Sequence, residues 1–141
     1  MATLIFSDAS VVVNSVDLSD HVASVTVNYE AEQQDDTAMG DDTRSNKPGL
    51  YNWTIDVEFH QDYAASEVDA TLFSLVGADF PIVVKPTSAA VSSTNPSYSA
   101  NATLSSYQPM GGSVGDLEMA PSTFVPAKGA SGSATLTRAT S

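Results

Sequence analysis

The chain has 141 residues, which is the size of one domain and leaves little room for two separate cores. Its 17 Asp and Glu residues against 5 Lys and Arg give a formal net charge of −12. This balance argues against a protein that binds nucleic acid by neutralising phosphates, and against attraction to an anionic membrane. Cysteine is absent, which excludes disulfides and thiolate chemistry, and no apolar run approaches the ~20 residues of a membrane span.

The acidic residues are concentrated towards the N-terminus. Residues 1–79 carry 15 of the 17, and six of these lie between Glu30 and Asp42. The C-terminal part is instead rich in Ser, Thr, Ala, Gly and Pro. We therefore expect one domain over 1–141, with a flexible acidic loop at 31–49 and a low-charge C-terminal end at 126–141.

Strand patterns dominate the first sixty residues. A short β-branched run at Val11–Val13 is followed by the turn-prone segment Asn14–Asp20. From Val22 the chain alternates, with apolar Val25, Val27 and Tyr29 on one face and polar Ser24, Thr26, Asn28 and Glu30 on the other. The strongest alternation places one apolar set opposite a polar set: Tyr51, Trp53, Ile55, Val57 and Phe59 against Asn52, Thr54, Asp56, Glu58 and His60. Period two over this length predicts a strand with one dry and one wet face.

The segment between these two strands, Ala31–Gly49, is long and polar and has no apolar period. Loops of this length are usually functional or disordered. Two interpretations stay open: a mobile solvent loop, or a segment that becomes ordered only against a neighbouring subunit. The less polar stretch Thr37–Gly40 in its centre suits an anchor.

One helix is predicted at about 65–76. Ser66 is a candidate N-cap with Asp69 in a capping-box relation, and Gly77 suits the left-handed position after the last turn. The apolar positions on its inner face are Val68, Leu72, Leu75 and Val76. A single helix of this size can cover one face of a sheet but is too little for an alternating α/β fold.

Further strands are predicted downstream, at Pro81–Lys85, Ser97–Tyr107, Asp116–Val125 and Ser133–Arg138. Pro121 places the third of these at a sheet edge or a bulge, because proline cannot donate to the ladder. The chain is therefore predicted to be mainly β.

The sequence offers little for catalysis. His60 lies beside Glu58 and near Asp62, so a metal site there is conceivable, but no known metal-ligand spacing occurs. The glycine-rich Gly111–Gly115 lacks the lysine of a phosphate loop. The carboxylates of Asp56 and Glu58 lack sugar-stacking aromatics on their own face. We expect no enzymatic activity, no cofactor and no metal site.

Several separate segments, in this order, resemble the small tail proteins of long-tailed bacteriophages. They cover most of the chain: Val16–Val22, Ala23–Tyr29, Thr37–Asp41, Gly49–Phe59, Gln61–Tyr63 leading into Ala65–Val76, Val83–Thr87, Asn95–Tyr98 and Thr137–Thr140. The nearest resemblance is to the tail tube, or major tail, proteins of non-contractile phages. A capsid decoration protein, or another minor virion protein, is the alternative within the same class. An alternative of another class is a carbohydrate- or receptor-binding β-sandwich, which would need exposed aromatic residues on a concave face.

The resemblance implies a β-sandwich or half-barrel with one flanking helix and no catalytic residues. Six subunits would form a ring, rings would stack into a tube, and strands of the six subunits would join into one inner barrel. The protein would be made in the host cytoplasm and reside in the virion. Its implied partners are itself, the tail terminator, tape measure and distal tail proteins, and genomic DNA passing without specific binding during ejection.

Two sets of site residues follow from that resemblance. The polar strand faces would line the lumen, through Asn28, Glu30, Asn52, Thr54, Asp56 and Glu58. The acidic loop would contact the adjacent ring, through Asp35, Asp36, Thr37, Met39, Asp41, Arg44 and Lys47. The assignment of the lumen-lining residues depends on the register of each strand, since a slip of one residue exchanges the two faces of a strand.

Overall fold

An antiparallel sheet of eight strands forms most of the fold in the computed structural model, which describes residues 3–129 and 132–141. In chain order the elements are β1 Ser10–Val13, β2 Val16–Asp17, β3 Val22–Asp35, β4 Asn46–His60, α1 Val68–Leu72, β5 Asp79–Lys85, β6 Ser97–Tyr107, β7 Met119–Pro126 and β8 Thr137–Ala139. The order across the sheet is β2-β1-β5-β6-β7-β4-β3, and β8 pairs with β6 beside this path. The predicted mainly β class with one flanking helix is confirmed.

The first two strands form a tight hairpin. Val13 pairs with Val16, so Asn14 and Ser15 alone make the turn, and both have positive φ, at 50° and 67°. A two-residue turn with positive φ at both positions matches the right-handed twist of the strands it joins. β1 then pairs with β5, which carries this hairpin onto one end of the sheet.

A long hairpin, β3–β4, forms the other end. The two strands pair from Val22 opposite Phe59 to Asp35 opposite Asn46, with irregularities near residues 23 and 32. The predicted loop of 31–49 is therefore reduced to residues 36–45, because 31–35 and 46–49 continue the ladder. Both faces of these outer strand segments are largely solvent-exposed. Their sequence therefore lacks the alternation of apolar and polar residues by which a half-buried strand is recognised.

The hydrophobic core lies on one side of the sheet. Trp53, Ile55, Val57 and Phe59 of β4 are buried there, as the alternation predicts. Tyr51, assigned to the same face, is 67% exposed because it lies beyond the end of the core. The rest of the core comes from the other strands and the helix: Val11, Val13, Leu18, Val68, Leu72, Leu75, Phe80, Ile82, Val84, Ala102, Leu104, Ala120 and Phe124.

The helix is shorter than predicted. It comprises Val68–Leu72, continued by a 3-10 turn over Phe73–Leu75. Glu67 rather than Ser66 precedes its first residue, no side chain caps it, and Ser66 has a φ of 64°. Val68, Leu72 and Leu75 face the core as expected, whereas Val76 is 52% exposed. Gly77 has the predicted left-handed conformation, with φ of 83°.

A polar network fixes the helix to the sheet. The hydroxyl of Tyr107, on β6, donates to Asp69 Oδ1 over 2.9 Å and accepts from Gln61 Nε2 over 3.0 Å. Burial, opposed by the Gln61 hydrogen bond and reinforced by the Asp69 carboxylate, raises the pKa of Tyr107 to about 12. The folded state therefore favours the neutral phenol.

Three of the four downstream strands lie close to their predicted positions, but the last, predicted at Ser133–Arg138, comprises only Thr137–Ala139, and the sheet order differs in one place. β7 lies between β6 and β4, so it is not an edge strand. Pro121 is tolerated there because it lies opposite Glu58 of β4, just beyond the point at which β6 pairing reaches Ser122. The register irregularity of this region is in β6, between Leu104 and Ser106.

The C-terminal end is packed against the sheet where the structure describes it. The indole Nε1 of Trp53 donates to the carbonyl of Ala134 over 2.7 Å, Leu136 packs against the core, and β8 pairs with β6. Residues 130–131 of the predicted 126–141 end lie outside the described part, as do residues 1–2 at the start. Among the described helices, none is long and apolar enough to cross a membrane.

Replacing Phe124 by Ala tests the position of the core. This ring is fully buried and packs edge-to-face on Phe80, with centroids 5.8 Å apart. We expect a loss of about 3–5 kcal/mol in the free energy of unfolding, measured by urea denaturation. F73A is the matched control: Phe73 is 69% exposed, and its truncation should change stability by no more than about 0.5 kcal/mol. Equal losses in both variants would contradict this core.

The Tyr107 network predicts a pH dependence at the alkaline end. A phenol with a folded pKa of about 12 and an unfolded value of about 10 binds its proton more tightly when the protein is folded. The stability it contributes is complete below about pH 10 and declines as the pH rises towards 12. Urea midpoints of the wild type and Y107F, compared at each pH between those values, should therefore converge as the pH rises. A constant difference would contradict the assigned network.

Candidate functional site

The polar side of the β3–β4 hairpin is one continuous surface. Asn28 pairs with Thr54, Glu30 with Asn52, and Thr26 with Asp56, so residues of the same polar alternation meet across the two strands. All of these side chains are exposed except Thr54, which is half-buried. We call the surface formed by Asn28, Glu30, Asn52, Thr54, Asp56 and Glu58 the polar hairpin face. The structure brings all six together on the side opposite the core.

The neighbouring strand extends this face. Thr123 of β7 pairs with Asp56, and its hydroxyl donates to Asp56 Oδ1 over 2.9 Å. No Lys or Arg forms an ion pair with Glu30, Asp56 or Glu58 in the part of the chain that the structure describes. The three carboxylates therefore give the polar hairpin face a negative potential that no described Lys or Arg neutralises through an ion pair.

The hairpin tip is a compact turn held by its own hydrogen bonds. The Asp35 carboxylate accepts from the Thr37 amide over 2.9 Å and pairs with Arg44 over 3.0 Å. The Thr37 hydroxyl accepts from the Ser45 amide over 2.8 Å, and Asp41 Oδ2 from the Ala38 amide over 2.8 Å. The hydrogen bonds from Thr37, and then the Arg44 guanidinium, hold the pKa of Asp35 below its ordinary value.

The residues assigned to inter-ring contact fall on this tip and on the strand ends beside it. Asp36, Thr37, Met39, Asp41 and Arg44 lie in the turn, whereas Asp35 and Lys47 end the paired strands. Met39 is fully exposed, near the middle of the turn 36–45.

An exposed aromatic pair lies on the other side of the same hairpin. Tyr29 and Tyr51 stack with centroids 5.7 Å apart and planes 27° apart, and both rings are more than half exposed. The alternation assigned them to the core face. That face continues past the end of the core. The predicted side-chain direction is therefore correct, but the predicted burial of Tyr29 and Tyr51 is wrong. Leu50 beside them is also exposed.

A second polar cluster, which sequence reasoning missed, surrounds His21. Its Nε2 lies 2.6 Å from Glu67 Oε2 and 3.6 Å from both Asp20 Oδ1 and Asp62 Oδ2. Asp20 and His21 come from a 3-10 turn, Ser19–His21, that precedes β3; Asp62 follows β4, and Glu67 precedes α1. No spacing rule unites residues 20–21 with 62 and 67. Among the described residues, potential metal ligands gather here and not at His60.

Comparisons with known proteins bear on the fold. No protein-family model matches the sequence, and no curated protein does. A chain in the structure of the virion of a native gene transfer agent particle is similar, with a TM-score of 0.70 and 12% identity, over 96% of this chain and 98% of that one. A chain in the tail of an empty gene transfer agent particle, computed with helical refinement in C6 symmetry, has a TM-score of 0.62 and 12% identity, over 83% of this chain and 81% of that one.

At this identity the likeness concerns the fold. The chain has the fold of a protein found in the tail of a phage-like particle, which confirms the fold expected from the resemblance to phage tail proteins.

Proposed function

We propose that this protein is a structural virion subunit that assembles into stacked hexameric rings and forms a tail tube through which DNA passes. The observation that carries the proposal is the two-sided β3–β4 hairpin, on a fold shared with a chain from a tail of C6 symmetry. One side of this hairpin belongs to the subunit core, and the other is polar, anionic and free in the subunit. The other virion partners, namely the tail terminator, tape measure and distal tail proteins, are part of the same proposal.

The sheet edge supports association with a second copy. β3 is a 14-residue strand that pairs with β4 on one side, and the described residues place no strand on its other side. Long free edges invite pairing with another chain and are usually blunted in monomeric proteins. A ring in which each β3 meets the next subunit removes six such edges, because closure leaves none exposed.

The polar hairpin face supports assignment to the lumen. If the shared sheet has its apolar side towards the subunit core, the opposite side with Asp56 and Glu58 faces the bore. Six copies convert each carboxylate into a ring of negative charge. Two unit charges ~10 Å apart interact by only ~0.4 kcal/mol in water. Repeated along a tube, this repulsion keeps the DNA phosphates from adhering to the wall.

The tip supports the ring-stacking role. Its local hydrogen bonds hold the turn in shape without any contact from the core, so it projects as a preformed element. The acidic turn and exposed Met39 would meet the adjacent ring. A neighbouring subunit would cover the stacked and exposed Tyr29–Tyr51 pair.

A carbohydrate-binding module is the competing function that one observation favours. Such a module requires exposed aromatic rings, and Tyr29 and Tyr51 are exposed. The two rings cover one face of each other, however, which leaves less area for a sugar. Electron microscopy of the purified protein at high concentration separates the two functions: hollow tubes with sixfold rings support the proposal, and particles without a central passage overturn it.

The tip variant tests ring stacking. Residues 37–44 are replaced by Asn-Gly, which suits a two-residue turn between the paired residues Asp36 and Ser45. We expect a folded subunit whose urea midpoint changes little, because the removed residues lie outside the core and their hydrogen bonds beyond the turn reach only Asp35 and Ser45 beside it. It should form no tubes by electron microscopy. F73A, altered at an exposed site remote from the hairpin, is the control and should polymerise. Long tubes formed by the tip variant would show that the tip does not stack the rings.

Charge reversal tests the lumen assignment. In particles built with D56K/E58K, tubes should assemble but DNA delivery should slow or stop, because lysine rings would hold the phosphates. The measurement is the rate of DNA release on triggering. D116K/E118K reverses two carboxylates of the segment before β7, outside the strands, and makes the same change in charge, so it serves as the control. Equal release from both variants would place Asp56 and Glu58 away from the bore.

A further inference from the structure

We propose that Asp20, His21 and Glu67, with Asp62 beside them, form a binding site for a divalent transition-metal ion of the Zn²⁺ class. One ligand atom of each of the first three residues lies within 4.8 Å of the others. Asp62 Oδ2 lies 3.6 Å from the same imidazole nitrogen. This site is independent of the proposed tube, since it lies at the start of the helix and not on the hairpin face.

The distances fit a compact ion. A tetrahedral Zn²⁺ with bonds of ~2.0–2.1 Å holds its donor atoms ~3.3 Å apart. The separations of 3.6 Å from His21 Nε2 to Asp20 and Asp62 are close to that value. The Glu67 oxygen at 2.6 Å is nearer, as a direct hydrogen bond requires, and an outward rotation of this partly exposed side chain would admit the ion.

A protonated histidine does not account for the cluster by itself. One N–H at Nε2 can donate to one oxygen, and Glu67 occupies that position. Asp20 and Asp62, at 3.6 Å, are beyond hydrogen-bond distance of that nitrogen. Even with a charged imidazole, three carboxylates leave the cluster with a net charge of about −2, and none of them forms an ion pair with Lys or Arg. A divalent ion would offset that charge and bind all of these oxygens.

The local structure presents the ligand atoms to one point. Asp62 Oδ1 accepts from the Ala64 amide over 2.9 Å, which leaves Oδ2 directed towards His21. The His21 ring is largely buried, at 17% exposure, whereas Asp62 and Glu67 are each 34% exposed. The imidazole is thus held by packing, and the carboxylates retain access to solvent for ion entry. An imidazole donor favours Zn²⁺ and its neighbours over Mg²⁺ and Ca²⁺, which prefer all-oxygen sites.

The consequence would be a cross-link between distant parts of the chain. The ion would join the 3-10 turn before β3 to the segment that leads from β4 into α1. The chain has no cysteine and therefore no disulfide to make such a closure. An ion that binds only the folded state stabilises it by mass action.

The test is titration of the full-length protein, after treatment with EDTA, with ZnCl₂ and separately with MgCl₂. Calorimetry should show one Zn²⁺ per chain, and thermal unfolding should move to higher temperature with Zn²⁺ and not with Mg²⁺. H21Q should abolish this tight binding, and E67Q should weaken it by about tenfold or more. H60Q removes the other imidazole and D42N removes an exposed carboxylate of the tip, so both should bind Zn²⁺ as the wild type does.

A second measurement keeps the result clear if H21Q folds poorly. Amide chemical shifts of the wild-type protein should change on Zn²⁺ addition at residues 20–21 and 62–67. Changes confined to the acidic tip at residues 35–42 would indicate adventitious binding and overturn the proposal. Absence of Zn²⁺ binding by the wild type, or equal affinity in folded E67Q and wild type, would overturn it as well.

Discussion

The one-sided burial of β4 is the constraint on which the rest of this structure depends. Trp53, Ile55, Val57 and Phe59 each remove a large apolar surface from water, at roughly 25 cal/mol per Å². Because strand side chains alternate, the intervening residues must then face the opposite way. Burial of one face thus fixes the register of the hairpin, and the register places every carboxylate of the polar hairpin face.

The same constraint links subunit stability to assembly. A sheet covered on one face and bare on the other is stable when the bare face is polar, as it is in solvated antiparallel sheets. Among the described residues, no strand pairs with the outer edge of β3. Pairing of that edge with another subunit would satisfy its backbone groups without disturbing the core. The subunit can therefore be fully folded on its own while the backbone groups at the outer edge of β3 still lack hydrogen-bond partners from another strand.

The cluster at His21 illustrates the opposite relation. Its carboxylates are placed not by a strand alternation but by the packing of the turn at residues 19–21 against the segment 61–67, which is distant from it in the chain. The cluster lies beside the start of the helix, next to the buried Val68, and brings three carboxylates to one imidazole. A cation that offsets this negative charge would also hold the turn before β3 against the start of the helix.

Much of the architecture was predictable from sequence because it rests on period-two alternation. The faces of β3 and β4, the bounds of β6, the helix residues Val68, Leu72 and Leu75, and the left-handed Gly77 all follow from local pattern. The length of the hairpin did not, because backbone pairing continues where neither face is buried and no alternation marks it. The exposure of Tyr51 was missed for a related reason: alternation gives the direction of a side chain and not where the core ends.

The sequence by itself therefore determined the class of fold, the two faces of β3 and β4, and the absence of disulfide chemistry. Only the tertiary structure decided that β7 is an inner strand, that the acidic segment closes in a ten-residue turn at 36–45, and that His21 meets Glu67. The physical reason is the range of the interactions. Alternation and turn propensity act between residues a few positions apart, whereas strand order and side-chain clusters depend on how distant segments share one core.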